Sequence, residues 1–189
     1  MLLSDFDIKK EIKKKNIVIR PAPDFSQQLS ACSLDLHLGN EFRVFEYSAL
    51  PFIDIKKTIP QNLTRVVTIK KNESFVVQPG EFVIAATEEW VELSNQIAAR
   101  LEGRSSLGRL GIIVHATAAL FPPGWRGAPV LELGNIARMP VSLYPGMRIC
   151  AFSFEYVSSP VETPYYKNKN AKYRNQKGAV ASKIDRETD

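Results

Sequence analysis

GRSSLGRL, residues 103–110, runs directly into the apolar stretch GIIV at 111–114, and the fold class turns on how this segment is read. Two glycines five apart, with basic and hydroxyl residues between them, resemble a phosphate loop, which would demand an α/β protein. Gly103 and Gly108 fill the glycine positions of G-x-x-x-x-G-K-[ST], but Arg109 and Leu110 stand where the lysine and the hydroxyl residue are required. A phosphate loop also needs a strand before it and a helix after it. The surrounding sequence is organised differently.

Outward from that segment, helix signals are scarce and strand signals many. NIVIR (16–20), SLDLHLG (33–39), EFRVFE (41–46), RVVTIK (65–70), SFVVQ (74–78), EFVIAAT (81–87), APVLELGN (128–135), PVSLY (140–144) and RICAFSFEYV (148–157) alternate or are rich in β-branched residues. Pro-Gly pairs at 79–80, 123–124 and 145–146 separate them as turns. Many short strands with turns at modest spacing predict an all-β sandwich or closed barrel, not βαβ units. One helix is predicted, over residues 5–14. Ser4 supplies its cap, Asp5 and Asp7 suit its first turn, and Ile8 and Ile12 share a face. No internal repeat, low-complexity block or second domain is visible.

The chain has 189 residues, enough for one domain with a true core, or for a domain plus a tail. Apolar residues at 44% and charged residues at 24% are ordinary for a soluble globular protein. No apolar run approaches a membrane span and the N-terminus is no secretory signal, so the expectation is a cytoplasmic protein without a membrane partner. Cys32 and Cys150 form no disulfide framework and no metal-ligand spacing; both are expected to be buried free thiols. The net charge of +5 concentrates in KKEIKKK (9–15) and in YYKNKNAKYRNQKGAVASKIDR (165–186). The first reads as the solvated face of a helix. The second is too poor in large apolar residues to fold alone and suits ordering on a ligand. No aromatic stripe accompanies these charges, which argues against nucleic acid as the partner.

Few groups can carry chemistry. His37 and His115 read as satisfied structural histidines. No His-Asp pattern surrounds Ser105 or Ser106, G-x-S-x-G is absent, and the zinc-deaminase signature is missing. Glu132 stands between Leu131 and Leu133 in a strand that wants burial. Desolvation would raise the pKa of such a carboxyl toward the range of a general base, and a structural Glu–Arg pair is the competing explanation. Arg104, Arg109, Lys172 and Arg174 are candidate phosphate binders, since guanidinium forks and serine hydroxyls match phosphate oxygens. Trp125 and the prolines of FPPGW read as turn and core.

Six motifs in order carry a resemblance: GRSSLGRLG (103–111), HATA (115–118), PGWRG (123–127), VLEL (130–133), YPGM (144–147) and AKYRNQKGAVAS (171–182). Together they resemble dCTP deaminases of the trimeric dUTPase-related superfamily. The likeness runs from LSDFDI near the start to KID near the end and is strongest from Leu101 to Asp185. It implies a distorted, jelly-roll-like β-barrel over residues 1–166 and a flexible basic tail over 167–189 that closes on the nucleotide. It also implies a homotrimer with active sites between subunits, and dCTP as the small-molecule partner.

The implied reaction is hydrolytic removal of the cytosine C4 amino group, giving dUTP and ammonia. It uses no zinc and no metal ligand from the chain, with Mg²⁺ carried on the triphosphate. By motif match Glu132 would be the general acid/base. Ser105 and Arg109 would support the water and the glutamate, and the Ala118 backbone would help place the water. Arg104, Ser105, Ser106, Leu107, Gly108 and Arg109 would line the nucleotide site, Val130 and Leu131 would meet the pyrimidine through backbone groups, and Tyr165, Lys172 and Gln176 would close over it. One position departs from the pattern. The family usually reads Ile-Asp-Pro-Gly where this chain has Phe121-Pro122-Pro123-Gly124, so Pro122 replaces a sugar-contacting carboxylate. That counts against a bifunctional enzyme releasing dUMP, and it leaves a non-catalytic trimeric nucleotide-binding homologue as the third reading.

Overall fold

The computed structural model describes residues 1–46 and 51–186, so residues 187–189 of the expected tail lie outside the described residues. Helix α1 (Asp5–Lys13) opens the chain and is followed by strand β1 (Ile17–Arg20), a helical turn α2 (Phe25–Gln28) and the long strand β2 (Ser33–Phe45). Next come β3 (Thr64–Thr68), β4 (Phe75–Val77), β5 (Phe82–Thr87), β6 (Trp90–Leu93) and β7 (Ile97–Gly103). The turn α3 (Ser105–Gly108) leads into β8 (Ile112–Ile113), β9 (Leu120–Phe121), β10 (Arg126–Gly127), β11 (Val130–Asn135), β12 (Val141–Leu143) and β13 (Arg148–Tyr156).

The expected all-β class is what forms, as a curled half-barrel. Its main sheet runs β8-β11-β5-β2-β13-β7-β9, with β3 added beside β2, and every strand pairing in it is antiparallel. Two small sheets, β1-β6-β10 and β12-β4, complete the wall. The stretches SLDLHLG and EFRVFE are one strand, not two. Its first half pairs with β13 and its second with β3 and β5, and a register shift between Leu38 and Phe42 bends it from one half of the sheet to the other. Leu34, Leu36, Leu38 and Phe42 all point inward and are fully buried, so parity survives the bend. Ser33, Asp35 and His37 therefore share the opposite face.

The core is aromatic at its centre. Phe42 stacks on Phe75 with ring centroids 4.3 Å apart, and Phe121 meets both Trp125 and Phe152 at 4.7 Å. Trp125 belongs to this core, as its motif suggested. Helix α1 ends at Lys13, with Lys14 as its C-cap, one residue short of the expected boundary. Ser4 Oγ accepts from the Asp7 N–H, and Asp5 and Asp7 occupy the first turn.

Five strands escaped the sequence signals: the two-residue strands β8, β9 and β10, and the longer β6 and β7. IAARLEG is rich in helix-forming residues, yet as β7 it lies between β13 and β9, and ladder pairing on both sides overrides its propensity. WVEL, as β6, is likewise gripped by β1 and β10. Two side-chain expectations need correction. Cys150 is buried but Cys32 is exposed, because it sits in the bend before β2 and not on an inward strand position. His37 is satisfied, with Nδ1 2.6 Å from the buried Glu89 carboxylate, whereas the buried Nδ1 of His115 has no hydrogen-bond partner among the described residues.

Candidate active site

Parity along β11 sets up the first cavity. Leu131 and Leu133 are fully buried, so Val130 and Glu132 project to the other side of the strand. There they line a cavity of about 450 Å³ with Ala118, Pro122, Tyr165 and Gln176. Its remaining walls are mostly aromatic and aliphatic, among them Phe82, Phe121 and Trp125. Glu132 is half-buried, not enclosed between its leucine neighbours as the sequence suggested. Its Oε2 accepts the Ala116 N–H at 2.7 Å, and its own N–H donates to Val114 O at 3.0 Å. No arginine pairs with it among the described residues, so the competing Glu–Arg explanation does not hold within the subunit. Glu132 is the single carboxylate among the residues lining this cavity.

The C-terminal segment forms the cavity's outer wall. Gln176 bridges to Gly127 in parallel, its carbonyl accepts the Ala128 N–H at 3.0 Å, and its Nε2 donates to Ala128 O at 3.1 Å. A side chain at Gly127 would lie 3.1 Å from Gln176, so the glycine is what lets the tail approach the barrel. Gly124, at φ +80, plays the same part for Tyr165, whose N–H reaches Pro123 O at 2.9 Å. Arg43 Nε then holds Ala179 O at 2.7 Å. Lys172 lines neither this cavity nor the next; its carbonyl accepts from Lys183 Nζ at 2.9 Å. Leu131 has its side chain in the core, so only its backbone can serve a ligand.

The segment GRSSLGRL lies elsewhere on the subunit. β7 delivers Arg104 to the N-cap of α3, and buried Leu107 pins that turn. Arg104, Ser105 and Ser106 line a second cavity of about 430 Å³, joined by Ser30, Ser33, Asp35 and Arg148. Asp35 Oδ2 lies 3.3 Å from both Arg104 Nε and Arg148 Nη1. Gly108 and Arg109 are exposed and line neither cavity. Within one subunit, then, Glu132 and the turn that was expected to support it face separate cavities. The alternation of SLDLHLG places Ser33 and Asp35 on one face in advance; nothing local signals that Arg148, at the start of β13, joins them. Among the described residues no group of three or more His, Cys, Asp and Glu side chains is placed to hold a metal ion, and no helix is long and apolar enough to cross a membrane.

A curled antiparallel half-barrel with a carboxylate in an apolar cavity and a separate arginine–serine cavity defines an all-β class of protein. Within that class the chain belongs to the dCTP deaminase-like family, whose model matches residues 2–157. It is 51% identical over 185 residues to the dUMP-forming dCTP deaminase of Dictyoglomus turgidum, covering 98% of this chain and 95% of that protein. It is 49% identical over 190 residues to the dCTP deaminase of Thermomicrobium roseum, covering 99% and 95%. The fold superposes on a crystal structure of 2′-deoxycytidine 5′-triphosphate deaminase from Agrobacterium tumefaciens with a TM-score of 0.63 at 23% identity. That match covers 82% of this chain but only 48% of the longer one.

Proposed function

We propose that this chain hydrolyses dCTP to dUTP and ammonia in the cytoplasm, as a homotrimer whose active sites lie between subunits. The observation that carries the reading is Glu132, the one carboxylate in an apolar, base-sized cavity, held by a single backbone N–H. Its other oxygen is free to accept a proton from water. The water oxygen bonds to C4 of the cytosine as its proton passes to Glu132. Glu132 returns that proton to N3, then takes the remaining hydroxyl proton and delivers it to the amino group; the C4–N bond breaks, ammonia leaves, and the C4 carbonyl and N3–H of uracil remain. Proton transfer through Glu132 needs no zinc-bound hydroxide. Ala118 also lines the cavity, and its backbone would help place the water, while the Val130 and Leu131 backbone would meet the pyrimidine edge.

The separation of the two cavities supports the trimer. Ser105 and Ser106 open into a different cavity from Glu132 and Arg109 into neither, and closed head-to-tail packing would bring one subunit's turn to the next subunit's carboxylate. Mg²⁺ would be carried by the triphosphate's own oxygens, lowering the charge that Arg104 and its neighbours have to meet. The tail, from Tyr165 through Lys172 to Gln176, would close the site over the bound nucleotide.

A second reading, release of dUMP and diphosphate, draws support from the naming of the Dictyoglomus relative as dUMP-forming. Against it stands Pro122, which lines the Glu132 cavity and brings neither a carboxylate nor an N–H. The retained Glu132, Ser105 and Arg109 argue against a non-catalytic homologue. Incubation of the purified protein with dCTP and Mg²⁺, with products resolved by ion-exchange chromatography, tests all three. A dUTP peak supports the main reading, dUMP with diphosphate supports the second, and unchanged dCTP defeats both.

A further inference from the structure

We propose that Arg148 is a further anion-binding side chain, which takes a phosphate beyond the first in the substrate's polyphosphate chain and is aimed at it by Asp35; this rests on the nucleotide reading above. Arg148 lies outside every motif that carried the resemblance. It enters the second cavity from the first position of β13, paired across the ladder with His37, and so sits on rigid strand rather than loop.

The charge balance of that cavity favours an anion. Two guanidiniums face one carboxylate, leaving a net positive charge among the hydroxyls of Ser30, Ser33, Ser105 and Ser106. A single carboxylate oxygen serves both arginines, at 3.3 Å each, long for charge-assisted bonds, which run at about 2.7–2.9 Å. Neither arginine therefore has the two-pronged pairing its fork can make. Arg148 Nη1 also donates to Gln27 O, and Arg104 Nη1 donates to Arg148 O at 3.0 Å, so backbone carbonyls fix both heads in place. The Nη2 group of each makes no hydrogen bond among the described residues. Two like charges held side by side with donors to spare form a cradle for a polyanion, and a nucleoside triphosphate supplies one. Asp35 holds the pair in register without neutralising it.

The test is isothermal titration with inorganic tripolyphosphate, and with dCTP and dCMP in Mg²⁺ on a Glu132→Gln background that does not consume the nucleotide. Arg148→Leu is expected to weaken tripolyphosphate and dCTP by roughly 10- to 100-fold, the loss of one charged hydrogen-bonding group. It should leave dCMP affinity unchanged, and Arg148→Lys should recover part of the loss. Wild-type affinity of Arg148→Leu for tripolyphosphate and dCTP overturns the proposal. So does an equal loss for dCMP, which would mark a structural role. Should Arg148→Leu melt early, the lysine variant decides by the same comparison between tripolyphosphate and dCMP. Failure of the wild type to convert dCTP would sink the deaminase reading, while the tripolyphosphate titration still decides Arg148.

Discussion

Glu132 reaches its cavity because the strand around it leaves no alternative. With Leu131 and Leu133 at zero exposure, the residue between them must point away from the core. The Ala116 N–H then ties one carboxylate oxygen, leaving the other toward the cavity. Glu132→Gln keeps the shape of the side chain but cannot take a proton from water. We expect turnover of dCTP to fall by roughly 10²–10⁴-fold, with equilibrium binding of dCTP retained. Single-turnover kinetics beside a binding titration separate the two effects, and full activity in the variant would remove Glu132 from the mechanism. The side of the strand that Glu132 takes was legible in the sequence, since PVLELGN and SLDLHLG alternate cleanly and so declare which residues share a face, but its half-exposed state was not. The meeting of Asp35 and Arg148 with the serine turn was not, because it depends on the register of β2 against β13 across more than a hundred residues of chain. The same limit hid His115, whose unpartnered ring nitrogen is a fact of packing and not of pattern.

Among the elements, α1 and the tail show how buried polar groups dock short segments on the barrel. Glu11 is 1% exposed; burial alone would raise its pKa, but hydrogen bonds from Asn16, Lys14 and Tyr156 outweigh it and hold the carboxyl below its ordinary value. Asn16 Nδ2 approaches to 2.6 Å and Lys14 Nζ to 2.9 Å. A lowered folded-state pKa contributes stability above the unfolded pKa, and that stability is lost as pH falls through the folded one. Glu11→Gln is therefore expected to cost about 1.5–3 kcal/mol at neutral pH. The deficit should close below the carboxylate range, as followed by thermal melts from pH 7 to pH 3. A deficit independent of pH would mean that packing, not charge, docks the helix. The tail makes a separate case. Its backbone bridges to Gly127 and Ala128 add to a barrel whose described core residues lie before residue 158 apart from Tyr165 and the small side chain of Ala179. Deleting residues from Lys167 onward should weaken dCTP binding while the melting transition stays cooperative and close to that of the full chain. Unchanged nucleotide affinity would remove the tail from the site. Its composition announced a segment unable to fold alone; the surface it docks on could be known only from the fold.

For the whole molecule, the decisive feature is that Glu132 opens into one cavity of the subunit and the turn Ser105–Arg109 does not: Ser105 and Ser106 line another cavity, and Arg109 lines neither. If both belong to one active site, that site needs two copies of the chain, and a closed ring of three would repeat it three times. This arrangement makes a prediction that no single-subunit site can meet. Glu132→Gln and Arg109→Ala subunits should each be nearly inactive alone. Unfolded together in equal amounts and refolded, they assemble at random, and a site works when its carboxylate comes from an Arg109→Ala subunit and its turn from a Glu132→Gln subunit. Each choice has even odds, so activity should return to about a quarter of the wild-type value. Light scattering on the mixture checks that trimers have formed. Recovery near that level would place the site between subunits and assign the turn to the neighbour. Persistent inactivity of the mixed trimers would show that both groups serve the same subunit, and the chain would then have to rearrange around α3 to bring them together.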